Sequence, residues 1–204
     1  MILAACLVFN RLALARWGAL AAGLGLVGAI AWTGHAGSTL GELGDLHLAA
    51  DVLHLWAASA WIGGLAGLCI LFAVGRRRPQ TEWGMLQLDA VRKFSVLGIV
   101  SVAVLILSGF VNSWILVGSV PALLITDYGH VLLLKLGAFA VMLGFAAVNR
   151  FSLTPRLVPG KGKAGADALA ALTRNTLIEI ALGLAIFALV GVLGTLHPAI
   201  HLMK

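Results

Sequence analysis

The sequence predicts an all-α fold: a polytopic membrane helix bundle of about five transmembrane helices, with a short apolar segment before the first. The 204 residues are 61% apolar and only 11% charged, whereas about a quarter of a soluble domain is charged. A helix needs about 20 apolar residues to cross the hydrocarbon core, and hydropathy windows of that length identify five such segments. These runs are apolar all round and lack the in/out alternation of a transmembrane β-barrel.

The five predicted spans are Trp17 to Thr33, His47 to Val74, Phe94 to Gly118, Gly129 to Asn149 and Thr176 to Thr195. We assign them to a single transmembrane domain covering residues 1–204. Before the first span, Met1 to Phe9 is apolar but too short to cross. It precedes Arg11 and Arg16 instead of following a basic region, as it would in a signal peptide. We interpret it as a membrane-dipping or truncated helix.

Basic residues divide the loops between the two sides of the membrane. Twelve of the fourteen Lys and Arg residues lie before span one, between spans two and three, or between spans four and five: Arg11, Arg16, Arg76, Arg77, Arg78, Arg92, Lys93, Arg150, Arg156, Lys161, Lys163 and Arg174. Because Lys and Arg mark cytoplasmic loops, these loops are predicted to be cytoplasmic. The net charge of +6 is then a topology signal that also favours anionic lipid, and nucleic acid is not expected as a partner.

All six histidines fall on the opposite side, the one poor in Lys and Arg: His35, His47, His54, His130, His197 and His201. Imidazole is the commonest protein ligand for transition metals, and it titrates near neutral pH. A metal, haem or proton site is therefore predicted at this outer face.

Span two carries the strongest constellation of potential ligands. At about 100° per residue, His47, Asp51 and His54 fall within an arc of about 60° and about 10 Å of helix axis. The preceding outer loop contains His35, four glycines and only acidic charges. That loop is interpreted either as a cover over a cation site or as a flexible connector.

Asp51 lies at a depth where an unpaired carboxylate is costly, and Lys135 in span four lies at a comparable depth. An Asp51–Lys135 ion pair is predicted. It would either lock two helices or tune the site, since a neutralised Asp51 leaves mainly neutral imidazoles, which suit monovalent copper or haem iron.

Cys69 and Glu179 lie nearer the cytoplasmic end of their spans, where a thiol and a carboxylate could form an exit site. The simpler interpretation makes Cys69 a small core residue and pairs Glu179 with a basic residue of the inner loops. Cys6 is the other cysteine of the chain, and no disulfide framework is indicated.

Several strings resemble the copper resistance protein D family over residues from about Arg11 to Pro198. They are Gly34-His35-Ala36, His47 to Asp51 with His54, Trp61-Ile62-Gly63-Gly64, Phe94-Ser95 through Ser108-Gly109, Val111-Asn112, Thr126-Asp127-Tyr128-Gly129 with Leu133 and Lys135, and Asn149-Arg150-Phe151. The segment from Thr126 to Lys135 is the most specific of them.

The resemblance implies an inner-membrane protein of copper homeostasis that moves copper from periplasm toward cytoplasm. It places His35, His47, Asp51 and His54 at the family's polar outer positions and Lys135 at its intramembrane lysine. His130 and His197 depart from the pattern, so they and His201 rank lower as ligands. Further helices upstream are common in the family, and a periplasmic copper-binding protein is a possible partner.

These residues are compatible with three functions. The first is a carrier that binds a copper ion at the outer site and assists its passage inward. The second is an electron-transfer subunit with haem b, for which His54 with His130 or His197 would supply the axial ligands. The third is a scaffold whose polar residues only specify helix packing. An enzyme is less expected, since Asp51 is the only candidate base.

Overall fold

The computed structural model describes residues 13–39, 41–75, 80–157 and 162–201. Within these ranges the chain is helical and contains no strand, which confirms the predicted all-α class. The predicted apolar segment Met1 to Phe9 lies outside them, as do Cys6 and some of the basic residues that predict the orientation: Arg11, Arg76, Arg77, Arg78 and Lys161.

Within the described part of the chain, five helices are long and apolar enough to cross a membrane, which confirms the predicted number. They are α1 (Ala13–Ala29, continued by a 3-10 turn, Ile30–Thr33), α2 (Glu42–Gly75), α3 (Gln80–Val117), α5 (Asp127–Val148) and α6 (Gly162–Leu193). A short helix, α4 (Val120–Ile125), lies between α3 and α5. The remaining turns are 3-10 turns at His35–Ser38, Thr154–Arg156 and Ala199–His201, and a π-helical turn at Asn149–Leu153.

Two of these helices begin well before the spans that hydropathy predicts. Helix α3 starts at Gln80 instead of Phe94, and α6 starts at Gly162 instead of Thr176. Hydropathy finds only the part of a helix that matches the hydrocarbon core. Backbone hydrogen bonding continues through the polar residues beyond it, many of which are good helix formers.

The chain divides into two compact units. The first unit is Met1–Ser59 with Ala103–Ile115, and the second is Ala60–Val102 with Leu116–Lys204. In the first unit, α1 packs against α2 at Gly28, where a Cβ atom would lie 3.4 Å from Trp56 Nε1. The same indole nitrogen donates to the Leu24 carbonyl at 2.9 Å. A glycine on α1 and a tryptophan on α2 therefore fix this contact.

The assignment of residues 1–204 to a single transmembrane domain stays a prediction.

The second unit contains two apolar clusters. One consists of Val117, Ala122, Tyr128, Leu132, Leu193 and Ala199, and the other of Leu68, Phe72, Val91, Leu153 and Leu172. Other large apolar side chains, among them Leu134 and Leu184, are exposed in the isolated chain. Exposed apolar surface on this scale is expected where lipid covers the protein.

The corner between α4 and α5 depends on Thr126 and Gly129. The Thr126 hydroxyl donates to the Ala122 carbonyl at 2.6 Å and accepts from the Gly129 amide at 3.0 Å, so it closes α4 and caps α5. A Cβ atom on Gly129 would lie 2.2 Å from the Leu123 carbonyl oxygen. Glycine is required because the backbone of α4 occupies that space.

We expect Gly129→Ala to lower the melting temperature of the detergent-solubilised protein, because the added methyl forces the corner apart at a cost of about 1–3 kcal/mol. Gly137→Ala, on the same helix, is the matched control, since a Cβ atom at residue 137 would meet nothing within 4 Å. Equal melting temperatures for the two variants would contradict this account of the corner.

Candidate metal-binding region

The histidines of the first unit lie on two segments. His35 begins the 3-10 turn His35–Ser38, and His47 and His54 lie on α2. His47 is only 1% exposed, whereas His35 and His54 are half-buried. The structure therefore places the most buried histidine where the sequence predicts the stripe to begin.

The segment that carries His35 is docked on the first turns of α2. The Thr39 hydroxyl lies 2.9 Å from His47 Nδ1 and donates to the His35 carbonyl at 3.1 Å. A Cβ atom on Gly44 would lie 2.2 Å from the Thr39 carbonyl oxygen. Of the two interpretations of this loop, these contacts favour a cover over His47.

Two charged or titratable groups act on His47 electrostatically, the Asp51 carboxylate and the His35 imidazole. Glu42 and Asp45, in the first turn of α2, are exposed. Acidic groups are favourable at a helix N-terminus, and here they also give the approach to His47 a negative potential. A cation is therefore favoured in this region over an anion.

Asp51 is hydrogen-bonded to Asn112 on α3, a partner that the sequence did not predict. The Asn112 amide donates to Asp51 Oδ1 at 3.1 Å. In the described part of the chain, Asn112 Oδ1 is the buried side-chain oxygen that has no hydrogen-bond partner. The sequence does contain a signal for Asn112, which is a polar residue inside an apolar span. Such residues usually face the protein interior and have a function.

His54 is held in the same manner as His47, by a hydroxyl group. Its Nδ1 lies 2.9 Å from Ser108 Oγ, and Ser108 donates to the Val104 carbonyl at 2.6 Å. The helix α3 thus contacts two members of the α2 stripe, Asp51 through Asn112 and His54 through Ser108.

The lower-ranked histidines lie elsewhere. His130 is exposed, and its Nε2 lies 2.8 Å from the Leu124 carbonyl. His197 is also exposed, and the side chain of His201 lies outside the described part of the structure. Lys135 is half-buried on α5. The predicted Asp51–Lys135 ion pair stays a prediction.

Among residues 13–39, 41–75, 80–157 and 162–201, no three His, Cys, Asp or Glu side chains are grouped closely enough to hold a metal ion. His47 and His54 are about two helical turns apart, about 10 Å along the axis. The predicted ligands are therefore neighbours along one stripe, and in this conformation they do not form one closed coordination sphere.

In the second unit, Glu179 is 1% exposed and accepts a hydrogen bond from the Asn149 amide at 2.5 Å. Asn149 Oδ1 in turn accepts from the Asn175 amide at 2.9 Å. Asn149 is the first residue of the π-helical turn, a geometry found often at functional sites. The sequence predicted a basic partner for Glu179, whereas the structure shows an amide. Cys69 is a half-buried free thiol.

The guanidinium of the neighbouring Arg150 bonds to Ser95 on α3. It donates to the Ser95 carbonyl at 3.2 Å and to the Ser95 hydroxyl, and it lies 5.7 Å from the centre of the Phe151 ring. Arg150 therefore joins the π-helical turn to α3.

Helices long and apolar enough to cross a membrane, five of them within the described residues, define a multi-span α-helical membrane protein, and α2 carries its stripe of histidine and carboxylate. The chain belongs to the copper resistance protein D family, whose model matches residues 88–193. That range includes Asn112, Lys135, Asn149 and Glu179, and it leaves out His47 and the loop before it.

Three curated relatives support the same membership. The chain is 32% identical over 171 residues to copper resistance protein D of Pseudomonas syringae pv. tomato and 31% identical over 171 residues to inner membrane protein YebZ of Escherichia coli (strain K12). Each alignment covers 83% of this chain and 55% of the relative. Copper transport protein CutJ of Bacillus subtilis (strain 168) is 38% identical over 130 residues, which are 64% of this chain and 23% of that protein.

The chain thus spans about half the length of the first two relatives, or 55%. No solved structure matches it.

We expect Asn149→Leu to destabilise the protein by about 1–3 kcal/mol more than Glu179→Gln, measured by thermal unfolding in detergent. Removing Asn149 leaves both a buried carboxylate and the Asn175 amide without their partner, whereas glutamine at 179 keeps an acceptor oxygen for Asn149. The reverse order of melting temperatures would contradict the role assigned to this amide chain.

Proposed function

We propose that this chain binds copper at the histidine-bearing ends of its spans and assists the movement of the ion across the inner membrane, inward. The observation that carries the proposal is the α2 stripe of His47, Asp51 and His54. Each member is hydrogen-bonded to another segment of the first unit, and His47 lies against the loop that carries His35. The names of the relatives, copper resistance protein D and copper transport protein CutJ, support copper as the cargo.

The chemistry of the ligands favours a soft ion bound by few groups. His35, His47 and His54 would bind as neutral imidazoles, and Asp51 supplies one negative charge close to His47. Imidazole donors with one carboxylate suit copper better than magnesium or calcium, which prefer several oxygen ligands. His130, His197 and His201 are secondary ligands in this proposal, and Cys69 with Glu179 is a candidate exit site.

The acidic first turn of α2 supplies an entry for the ion. Glu42 and Asp45 are exposed at the beginning of the helix whose second turn holds His47. Their charges raise the local concentration of cations. We place this entry on the periplasmic side, where a periplasmic copper-binding protein would deliver the ion. The basic loops then lie in the cytoplasm. Transport needs no catalytic base, so we do not propose an enzyme.

We expect the double variant His47→Ala, His54→Ala to lose copper binding, measured as copper content after equilibration of purified protein with Cu(I) and removal of unbound ion. Removing two imidazoles leaves Asp51 as the principal donor on the stripe, and a lone carboxylate binds soft copper poorly. His130→Ala is the matched control, since that ring is exposed and bonded to its own corner. It should keep most of the copper.

Copper content equal to that of the unaltered chain in the double variant would contradict the proposal. The absorption spectrum of the same preparations tests the haem alternative. A Soret band that disappears in His54→Ala would favour haem b over copper.

We expect a cysteine at Glu42 to react with an impermeant thiol reagent added outside intact cells, in a chain whose Cys6 and Cys69 have been replaced by alanine. A cysteine at the exposed Asp89, near the basic loop between α2 and α3, should react only after the membrane is opened. The opposite labelling pattern would invert the proposed orientation and, with it, the inward direction.

A further inference from the structure

The two histidines of the α2 stripe share a contact that bears on which ring nitrogen carries the proton. In both, Nδ1 lies 2.9 Å from a hydroxyl oxygen, Thr39 Oγ1 for His47 and Ser108 Oγ for His54. Each hydroxyl also lies within hydrogen-bonding distance of a backbone carbonyl, that of His35 at 3.1 Å and that of Val104 at 2.6 Å.

Each hydroxyl can keep both of its contacts in one arrangement only. A hydroxyl has one hydrogen to donate, and a carbonyl oxygen can only accept. Both contacts of the Thr39 hydroxyl are therefore hydrogen bonds at the same time only if it donates to the His35 carbonyl and accepts from His47 Nδ1–H. A neutral imidazole carries one N–H, so this arrangement leaves the lone pair of His47 on Nε2. The two contacts of Ser108 favour the same arrangement for His54.

His130 shows the opposite arrangement. Its Nε2 lies 2.8 Å from the Leu124 carbonyl, which can only accept, so Nε2 carries the hydrogen. The hydroxyl-bound tautomer thus distinguishes the two stripe histidines from the exposed histidine at the α4–α5 corner.

Water cannot easily replace Thr39 as the partner of His47. His47 is 1% exposed, and the Thr39 backbone lies so close to α2 that a Cβ atom on Gly44 would lie 2.2 Å from the Thr39 carbonyl oxygen. Gly44 and His47 are three residues apart on α2, so they lie on the same face of the helix. This face forms the docking surface for the segment His35–Ser38 and Thr39.

We propose that Thr39 is a positioning residue that holds His47 in the Nδ1–H tautomer and so presents the Nε2 lone pair to a monovalent copper ion. The inference rests on the proposed function for the identity of the ion. Metal-binding histidines commonly donate their second ring N–H to a neighbouring group, which fixes the tautomer and orients the ring. The shared hydroxyl of Thr39 also ties the backbone of His35 to the ring of His47.

The test compares Thr39→Val, which removes the hydroxyl at nearly constant shape, with Thr39→Ser, which restores it. Thr33→Val is the matched control, because that hydroxyl donates to the Ile30 carbonyl on the exposed surface. Gly44→Ala provides a second route, since it displaces the Thr39 backbone and leaves the hydroxyl in the chain. Each variant is examined in the full chain by two measurements.

The first measurement is ¹⁵N NMR of the ring nitrogens in metal-free protein, with the His47 signals assigned from their absence in His47→Ala. The unaltered chain, Thr39→Ser and Thr33→Val should show His47 protonated at Nδ1. Thr39→Val and Gly44→Ala should show a shift of the population toward protonation at Nε2. A His47 protonated at Nε2 in the unaltered chain, or unchanged in Thr39→Val, would overturn the inference.

The second measurement is Cu(I) affinity by competition with a chromophoric chelator. Thr39→Val and Gly44→Ala should bind about 10- to 100-fold more weakly than the unaltered chain, as is usual when the partner of a ligating histidine is lost. Thr39→Ser and Thr33→Val should bind as the unaltered chain does. Affinity unchanged in Thr39→Val overturns the positioning role alone, whereas an unaltered chain that binds no copper overturns the proposed function.

Discussion

Polar groups placed inside hydrocarbon must find their hydrogen-bond partners within the protein, because the lipid offers none. In this chain that requirement accounts for the contacts of the polar residues inside the spans. His47, His54 and Asp51 are each held by a side chain from another segment. Glu179 is held by Asn149 in the other unit. The helices meet where these pairs form, so the same contacts that satisfy polar groups also set the packing.

Thr39, Ser108 and Asn112 are neutral residues, and this has a chemical consequence. A hydroxyl or amide bonds to an imidazole or a carboxylate without adding charge, so the ligand keeps its capacity to bind a cation. The Thr39, Ser108 and Asn112 contacts therefore suit a region through which a positive ion passes, and they also hold the side chains rigidly enough to present them.

The sequence predicted the helical class and the number of spans because both depend on composition over windows of about 20 residues. It predicted the stripe of His47, Asp51 and His54 because helical periodicity alone brings those side chains to one face. It did not predict the helix ends, since a helix continues beyond the hydrocarbon wherever its residues permit. It also gave no role to Thr39, Ser108 or Asn112, because a hydroxyl or amide becomes a partner only through contacts between distant segments.

The sequence by itself thus determined the membrane character of the chain, its five spans and its family, and it singled out the histidines of α2. These features are local or periodic, so they can be recognised before folding is known. Only the tertiary structure decided that the loop before α2 lies over His47, that the Asn149 amide bonds to Glu179, and which hydroxyl groups lie against the rings of His47 and His54. Those features depend on three-dimensional distances between segments as far apart as Asp51 and Asn112, which no pattern within a single helix can specify.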